Sequence, residues 1–292
     1  MNPYQQKLLN RAARYFPKLI WRNYIRAARQ CGLDRLYLIL SFDCDTPEDA
    51  KAARQLDAWL RQHQVKATYA VPGVQLEQSA SIYRRLFDTG AQFINHGGLP
   101  HAEWRGDAYT SITFYHQMTS EAVVEDIERG HEIVSKIIGC PPVGFRAPHF
   151  GYFQADDQLA LQYGVLRSLG YSFSTSTVPR FAMRYGPVFD VGGLYEIPVS
   201  GSFRFHLDIL DSWGYLISPQ QPVLKDLYAA HFIETIDRLL ALKIPGVLNL
   251  YADPAHVYQS DAFYRAVSHA LNQGISTLHY PDLIALVKID TT

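Results

Sequence analysis

Beyond residue 36 the chain alternates short β-rich runs with stretches of helical periodicity, and it does so seven or eight times. That alternation is the signature of βαβ units and a parallel sheet. Strands are predicted at Leu36 to Phe42, Ala67 to Val71, Gln92 to Asn95, Val143 to Arg146, Tyr171 to Ser174, Leu194 to Val199, Val247 to Tyr251 and Ile275 to His279. Helices are predicted between them at Glu48 to Gln62, Ser79 to Asp88, Ser120 to Ile138, Asp156 to Leu169, Leu224 to Leu242 and Ala262 to Gln273. Gly90, Gly139, Gly170 and Gly274 each fall just past a predicted helix, where a left-handed terminal residue favours glycine. In 292 residues this many repeats fit one barrel-sized domain, so the expected fold is α/β, a distorted or incomplete (β/α) barrel of seven to eight parallel strands. With no internal repeat or low-complexity linker after residue 36, residues 36–292 are read as that barrel and 1–35 as a helical extension. Pro100 to Thr119 is too long for an ordinary connection and is expected to be a functional loop.

In α/β proteins the carboxyl ends of strands carry the chemistry, and several of these strands end on chemistry-bearing side chains. The first stops on Ser41-Phe42-Asp43-Cys44-Asp45. Alternation aims Asp43 and Asp45 to the same side, about 7 Å apart along the backbone, so the two can bind one metal or divide the work of ligand and base. A helix N-terminus rich in acids accounts for Glu48 and Asp49, but not for an acid on a buried strand. After the third strand, Asn95-His96-Gly97-Gly98-Leu99-Pro100-His101 places two histidines five apart on a glycine-freed loop that can fold back onto one ion. Combined with the acids, they make a His, His, Asp set with an open position for water, which is how catalytic zinc sites are built.

The fourth strand ends in Gly144-Phe145-Arg146-Ala147-Pro148-His149-Phe150-Gly151-Tyr152. Arg146 can pair with a carboxylate, while Pro148 and Gly151 set a tight backbone able to offer amide donors to an oxyanion. Asn249 to His256 again ends a strand on an acid and a histidine, Asp253 and His256, suitable for a general acid opposite a base.

Bulk properties narrow the class. Apolar content of 48% and charged content of 19% describe an ordinary globular chain, neither disordered nor fibrous. Cys31, Cys44 and Cys140 are an odd number without paired spacing, against a disulfide framework or a zinc knuckle and in favour of a reducing compartment. No run approaches the roughly 20 apolar residues that span a bilayer, and the N-terminus lacks a signal peptide's apolar core. The protein is therefore expected to be cytoplasmic. Charge is uneven: residues 1–35 hold eight bases against one acid, Asp34, and the remainder 19 bases against 27 acids. Leu8, Leu9, Ala12, Phe16, Leu19, Ile20 and Trp21 recur at helical spacing among those bases. One reading rests this segment on an anionic membrane surface, with Phe16, Trp21 and Tyr24 at the interface. The other is a helical collar packed on the main domain with solvated arginines. Nucleic-acid binding is not expected, because nothing basic and aromatic continues the patch.

Together the motifs resemble the NodB-like polysaccharide deacetylases, carbohydrate esterase family four, over roughly residues 36–285. The acidic strand end, Ala67-Thr68-Tyr69-Ala70-Val71-Pro72-Gly73, the Asn-His motif, Gly-Phe-Arg-Ala-Pro and Tyr195-Glu196-Ile197-Pro198-Val199 carry the resemblance. It implies a distorted (β/α) barrel that removes acyl groups from amino sugars with a divalent metal, here expected to be Zn²⁺. It further implies Asp43 as general base, Asp45, His96 and His101 as ligands, Arg146 as the residue that orients Asp43 and keeps it ionised, and the backbone near His149 as an oxyanion donor. Three departures stand out: Cys44 splits the usual adjacent acids, as in an Asp-X-Asp branch of the family. The histidines are one residue further apart than usual, and Asp253-Pro254 takes the place of His-Pro or Leu-His. His256 is thus the candidate acid, with Asp253 itself, or His206 and Asp211, as alternatives.

Aromatic side chains in the candidate loops, Trp104, Tyr109, Tyr152, Phe153, Trp213 and Tyr215, can stack on sugar rings. The expected substrate is a carbohydrate, an amino-sugar intermediate or a glycolipid precursor, reached by a cytoplasmic protein peripheral to the inner face of the membrane. Two rivals are kept: an allantoinase-like hydrolase of non-sugar amides, and a non-catalytic carbohydrate-binding relic without metal.

Overall fold

A computed structural model describes residues 8, 10–13 and 15–288. Its strands, in chain order, are β1 Leu36–Asp43, β2 Ala67–Val71, β3 Gln92–Asn95, β4 Ala102–Arg105, β5 Ala108–Ser111, β6 Gly144–Phe145, β7 Phe173–Ser174, β8 Phe189–Asp190, β9 Tyr195–Glu196, β10 Leu216–Ser218, β11 Gln221–Leu224, β12 Gly246–Ala252 and β13 Ser276–Thr277. β1 is buried along its whole length, as a strand covered on both faces must be. It pairs in parallel with β12, from Leu36 opposite Gly246 to Phe42 opposite Ala252, and on its other edge with β2, from Leu40 opposite Ala67 to Asp43 opposite Ala70. β13 fills that second edge below β2, at Tyr37 and Leu38.

The sheet continues in parallel through β3, β6, β7 and β9, and β8 closes it antiparallel at the edge. It curls until its two ends meet: the Ser200 N–H donates to the Asn249 carbonyl at 2.8 Å, and Asn249 Nδ2 donates to the carbonyls of Ile197 and Pro198. The predicted distorted barrel is therefore the observed architecture.

Local chemistry explains the boundaries. Pro47–Gln62 starts on a capping box, Thr46 accepting from the Asp49 N–H while Asp49 accepts from Thr46. Ser120–Ile138 starts on Thr119 and stops at Gly139, whose φ of +90° only glycine adopts without strain. The loop expected at Pro100 to Thr119 is partly regular, because β4 and β5 pair as a hairpin around Gly106. A second hairpin, β10 with β11, stands in the segment before helix Asp226–Ala241.

The helix Arg22–Gln30 covers the seam where the sheet ends meet. Trp21, Tyr24 and Ala28 are buried, Trp21 stacks on Phe203 at 6.0 Å, and the Tyr24 hydroxyl both donates to and accepts from the backbone of Val247. Gly246 is required there, since a Cβ would fall 2.4 Å from the Tyr24 hydroxyl. Trp21 and Tyr24, which one of the two readings set at a membrane interface, thus pack into the protein as a collar would, whereas Phe16 is exposed. Among the described residues no helix is long and apolar enough to cross a membrane.

Candidate active site

Parallel pairing brings the carboxyl ends of β1, β3, β6 and β12 to one end of the barrel, and four of the singled-out segments with them. Asp43 is the last residue of β1, His96 follows β3, Arg146 follows β6 and Asp253 follows β12. Alternation works as expected at the acidic strand end: Cys44 is fully buried in the core, while Asp43 and Asp45 face the histidines.

Asp45, His96 and His101 offer donor atoms that all lie within 4.8 Å of one another. Asp45 Oδ1 is 3.6 Å from His96 Nε2 and 3.1 Å from His101 Nδ1. His96 donates its other nitrogen, Nδ1, to the Arg146 carbonyl at 2.7 Å, which fixes the ring with Nε2 turned toward Asp43 and Asp45. His101 Nε2 is buried without a hydrogen-bond partner. The longer histidine spacing is accommodated by a loop pinned at several points. Asn95 Oδ1 accepts from the Gly97 N–H, Asp126 Oδ1 accepts from the N–H groups of Gly98 and Leu99, and Asp126 Oδ2 accepts from the Tyr115 hydroxyl. Asp126, in the helix Ser120–Ile138, was not singled out; within an amphipathic helix nothing distinguishes a buried acid from a solvated one.

Arg146 is fully buried and fully engaged. Nη1 donates to Asp43 Oδ1 at 2.5 Å, Nη2 to the hydroxyls of Ser41 and Tyr280 at 2.8 and 2.9 Å, and Nε to the Thr175 carbonyl. The Tyr280 hydroxyl passes the chain on to Asn249 Oδ1. Ser41 and Asn249 carried a faint signal, each a polar residue inside an apolar strand, while Tyr280 carried none.

Burial governs the protonation states. It pushes Asp43 up to about 6 despite Arg146, with Asp45 adding to the rise, so Arg146 orients Asp43 without keeping it at an ordinary carboxylate value as expected. A cation beside it lowers that value again. For Asp45, burial is outweighed by His101, His96 and His149, which hold it well below the carboxylate range. Burial and the neighbouring His101 keep His96 neutral, the form in which imidazole binds a metal.

Across the cleft, burial and the surrounding acids, Asp49 first, push Asp253 far up. Its Oδ1 is buried without a partner. A cavity of ≈ 330 Å³ is lined by Asp43, Asp45, His96, Tyr152, Trp213 and Asp253, together with His149 and Asp211. A neighbouring one of ≈ 220 Å³ shares Asp45, His149, Trp213 and Asp253 and adds Trp104, Tyr109 and His256. His256 therefore lies beside the cleft but off the part that holds Asp43, its Nδ1 3.0 Å from Ser212 Oγ and 3.7 Å from Asp253 Oδ2. Asp211 reaches the cleft with both oxygens engaged, by the Gly214 N–H and the Tyr251 hydroxyl. His206 does not reach it: the ring sits in the seam 6.4 Å from Trp21, because the chain turns outward between Ser200 and Leu210. His149 takes a left-handed backbone, φ +43°, and donates Nε2 to the His101 carbonyl. Of the aromatics, Trp104, Tyr152 and Trp213 are exposed at the cleft, whereas Phe153 is core and Tyr215 packs on Tyr228 and His231.

Residues 33–168 match the family model described as Polysaccharide deacetylase. That span contains Asp43, Asp45, His96, His101, Arg146, His149 and Tyr152, but not Trp213, Asp253 or His256. No curated protein matches the chain. Among solved structures, a Mycobacterium smegmatis protein assigned to the polysaccharide deacetylases is similar at TM-score 0.60 and 15% identity, over 82% of this chain and 84% of its own. A family 4 carbohydrate esterase from Streptomyces lividans, in complex with acetate, is similar at TM-score 0.51 and 17% identity, over 87% and 96%. A family 4 pseudoenzyme from Bacillus anthracis is similar at TM-score 0.51 and 12% identity, over 88% and 68%. At such identities the likeness to these structures is one of fold.

Proposed function

We propose that this chain, which resembles the polysaccharide deacetylases in sequence over residues 33–168 and in fold over most of its length, is a metal-dependent hydrolase that removes an N-acyl group, acetyl in the simplest case, from an amino sugar. The observation that carries the reading is the convergence of Asp45, His96 and His101 beside the Asp43–Arg146 pair in a cleft that also holds Asp253. The donor set fits a divalent cation. One carboxylate and two imidazoles, that of His96 neutral and oriented by a carbonyl behind it, form the three-ligand arrangement of catalytic zinc sites. When bound, such an ion polarises the acyl oxygen and makes water a nucleophile near neutral pH.

The chain's own residues do the rest. Asp43, oriented by Arg146, takes the proton as water attacks the acyl carbon; a base poised near neutrality suits that task. The backbone at His149, held by its left-handed turn and its bond to His101, offers an amide donor to the developing oxyanion. Asp253, whose carboxyl burial and the surrounding acids push up, gives its proton to the leaving amine and takes over the part expected of His256. His256 then serves to position Asp253 through Ser212, whose hydroxyl accepts from the Asp253 N–H. Trp104, Tyr152 and Trp213 offer exposed faces to sugar rings. The Cys44 split is accommodated by alternation, in keeping with an Asp-X-Asp branch.

A non-catalytic reading has one observation in its favour, the replacement of the usual histidine by Asp253. It is answered by mutagenesis in an acyl-release assay on N-acetylated sugars, nucleotide sugars and glycolipids. Asp253→Asn is expected to lower kcat by ~10²–10⁴ with the metal retained, and His256→Gln by less than tenfold. Equal turnover by Asp253→Asn and the wild type would remove Asp253 from the mechanism. Hydrolysis of cyclic ureides in place of sugars would turn the assignment to the allantoinase-like rival, and no turnover with any substrate would leave the binding relic.

A further inference from the structure

With Asn10, Ala13, Trp21, Tyr24 and Ala28 buried, the opposite face of the described residues between 8 and 29 is left outward. That face is both apolar and cationic. Leu8 is 54% exposed, Tyr15 68%, Phe16 64% and Leu19 65%. Lys18, Arg22, Arg26 and Arg29 are exposed among them at helical spacings of four, four and three, and Arg11 is exposed beyond the break in the helix at Phe16. The stretch contains no acid, and no ion pair among the described residues involves any of these five bases. Lys18, Arg22, Arg26 and Arg29 line one shallow groove together with Ile25.

We propose that this face docks the protein on an anionic lipid surface. A solvated collar accounts for the arginines but not for large apolar side chains exposed between them, whereas bases interleaved with aromatic and aliphatic groups are what a helix lying in a bilayer interface presents. The membrane reading of the sequence thereby changes its anchors: Trp21 and Tyr24 hold the segment to the barrel, and Tyr15, Phe16 and Leu19 face outward. A second copy is a poor occupant, because two such faces repel. A nucleic acid would use the bases and leave the apolar groups idle. Asn10 Nδ2 donates to Asp208 Oδ2 at 3.0 Å and the Tyr24 hydroxyl is bonded to Val247 near the start of β12, so the inner face of the segment is held to the barrel and leaves the outer one free to dock.

The test is co-sedimentation of the full chain with vesicles of phosphatidylcholine, or of equal parts phosphatidylcholine and phosphatidylglycerol. Binding is expected on the anionic vesicles alone and should weaken as salt rises. The triple variant Arg22→Gln, Arg26→Gln, Arg29→Gln should bind on the order of a hundredfold more weakly, since each base near such a surface contributes about 1 kcal/mol. The pair Phe16→Ser and Leu19→Ser should also lose binding, with unchanged thermal unfolding in both variants. No binding, equal binding to both vesicles, or wild-type binding by the triple variant overturns the proposal. So does capture by duplex DNA that the Phe16→Ser, Leu19→Ser variant retains in full. Because the assay reads binding alone, its failure would leave the acyl-hydrolase reading standing.

Discussion

Asp43→Asn is expected to lower acyl release by ~10²–10⁴, the range that a positioned general base contributes, while the protein keeps its metal ligands. The amide has the shape of the carboxylate and can still accept from Arg146 Nη1, and Arg146 keeps Ser41, Tyr280 and the Thr175 carbonyl. What the amide cannot do is take a proton from water. The loss should therefore appear in kcat at saturating substrate, with KM and metal content near those of the wild type. Turnover within a few-fold of the wild type would mean that the proton leaves by another route, and the division of labour between Asp43 and Asp45 would have to be redrawn.

Replacing Arg146 has the larger effect on the fold. Arg146→Met removes the partner of a buried carboxylate and leaves Ser41 and Tyr280 with one donor fewer each, a change that costs about 3–5 kcal/mol when a buried pair is broken. Arg146→Lys should recover only part of this, because an ammonium is a point charge and cannot span Asp43, Ser41 and Tyr280 as the guanidinium fork does. Urea unfolding measures both: the midpoint should fall far for Met and less for Lys, at unchanged slope. A midpoint within error of the wild type in Arg146→Met would show that Asp43 is held by something else. Activity should fall in both, since Asp43 loses its orientation and is pushed further toward the protonated form.

Much of this arrangement was legible in the chain because buried parallel strands leave an unmistakable apolar run and a chemistry-bearing end. β1, β2 and β3 lie where their runs predicted them, and the helix Ser120–Ile138 matches to the residue. Asp43, His96 and Arg146 could be named because each closes or directly follows such a strand, and Asp45 and His101 because each stands a few residues beyond one on the same loop. The hairpin β4–β5 was missed because its strands, of four residues each, are mostly exposed and have no core face to impose alternation; Gly106-Asp107 between them was the available sign. Tyr280 and Asp126 act across long separations in sequence, and only the fold brings them to the site. His206 was drawn in by proximity in sequence to Asp211, and the turn at Gly201, where Phe205, His206 and Asp208 crowd the backbone, carries it away to the seam.

The general acid was the least legible element, because Asp253 and His256 close the same strand end three residues apart. The proposed mechanism takes Asp253, which lines both halves of the cleft and has a buried oxygen without a partner, over His256, which lines one.

The central claim, that Asp45, His96 and His101 hold a divalent cation on which acyl removal depends, is tested most directly by measuring the metal content of the purified protein beside that of His96→Ala. The account predicts a single divalent ion per chain in the wild type, lost from the folded variant together with acyl release. A wild type that takes up no ion from a zinc-containing buffer, or a His96→Ala variant that keeps a full equivalent, would contradict it.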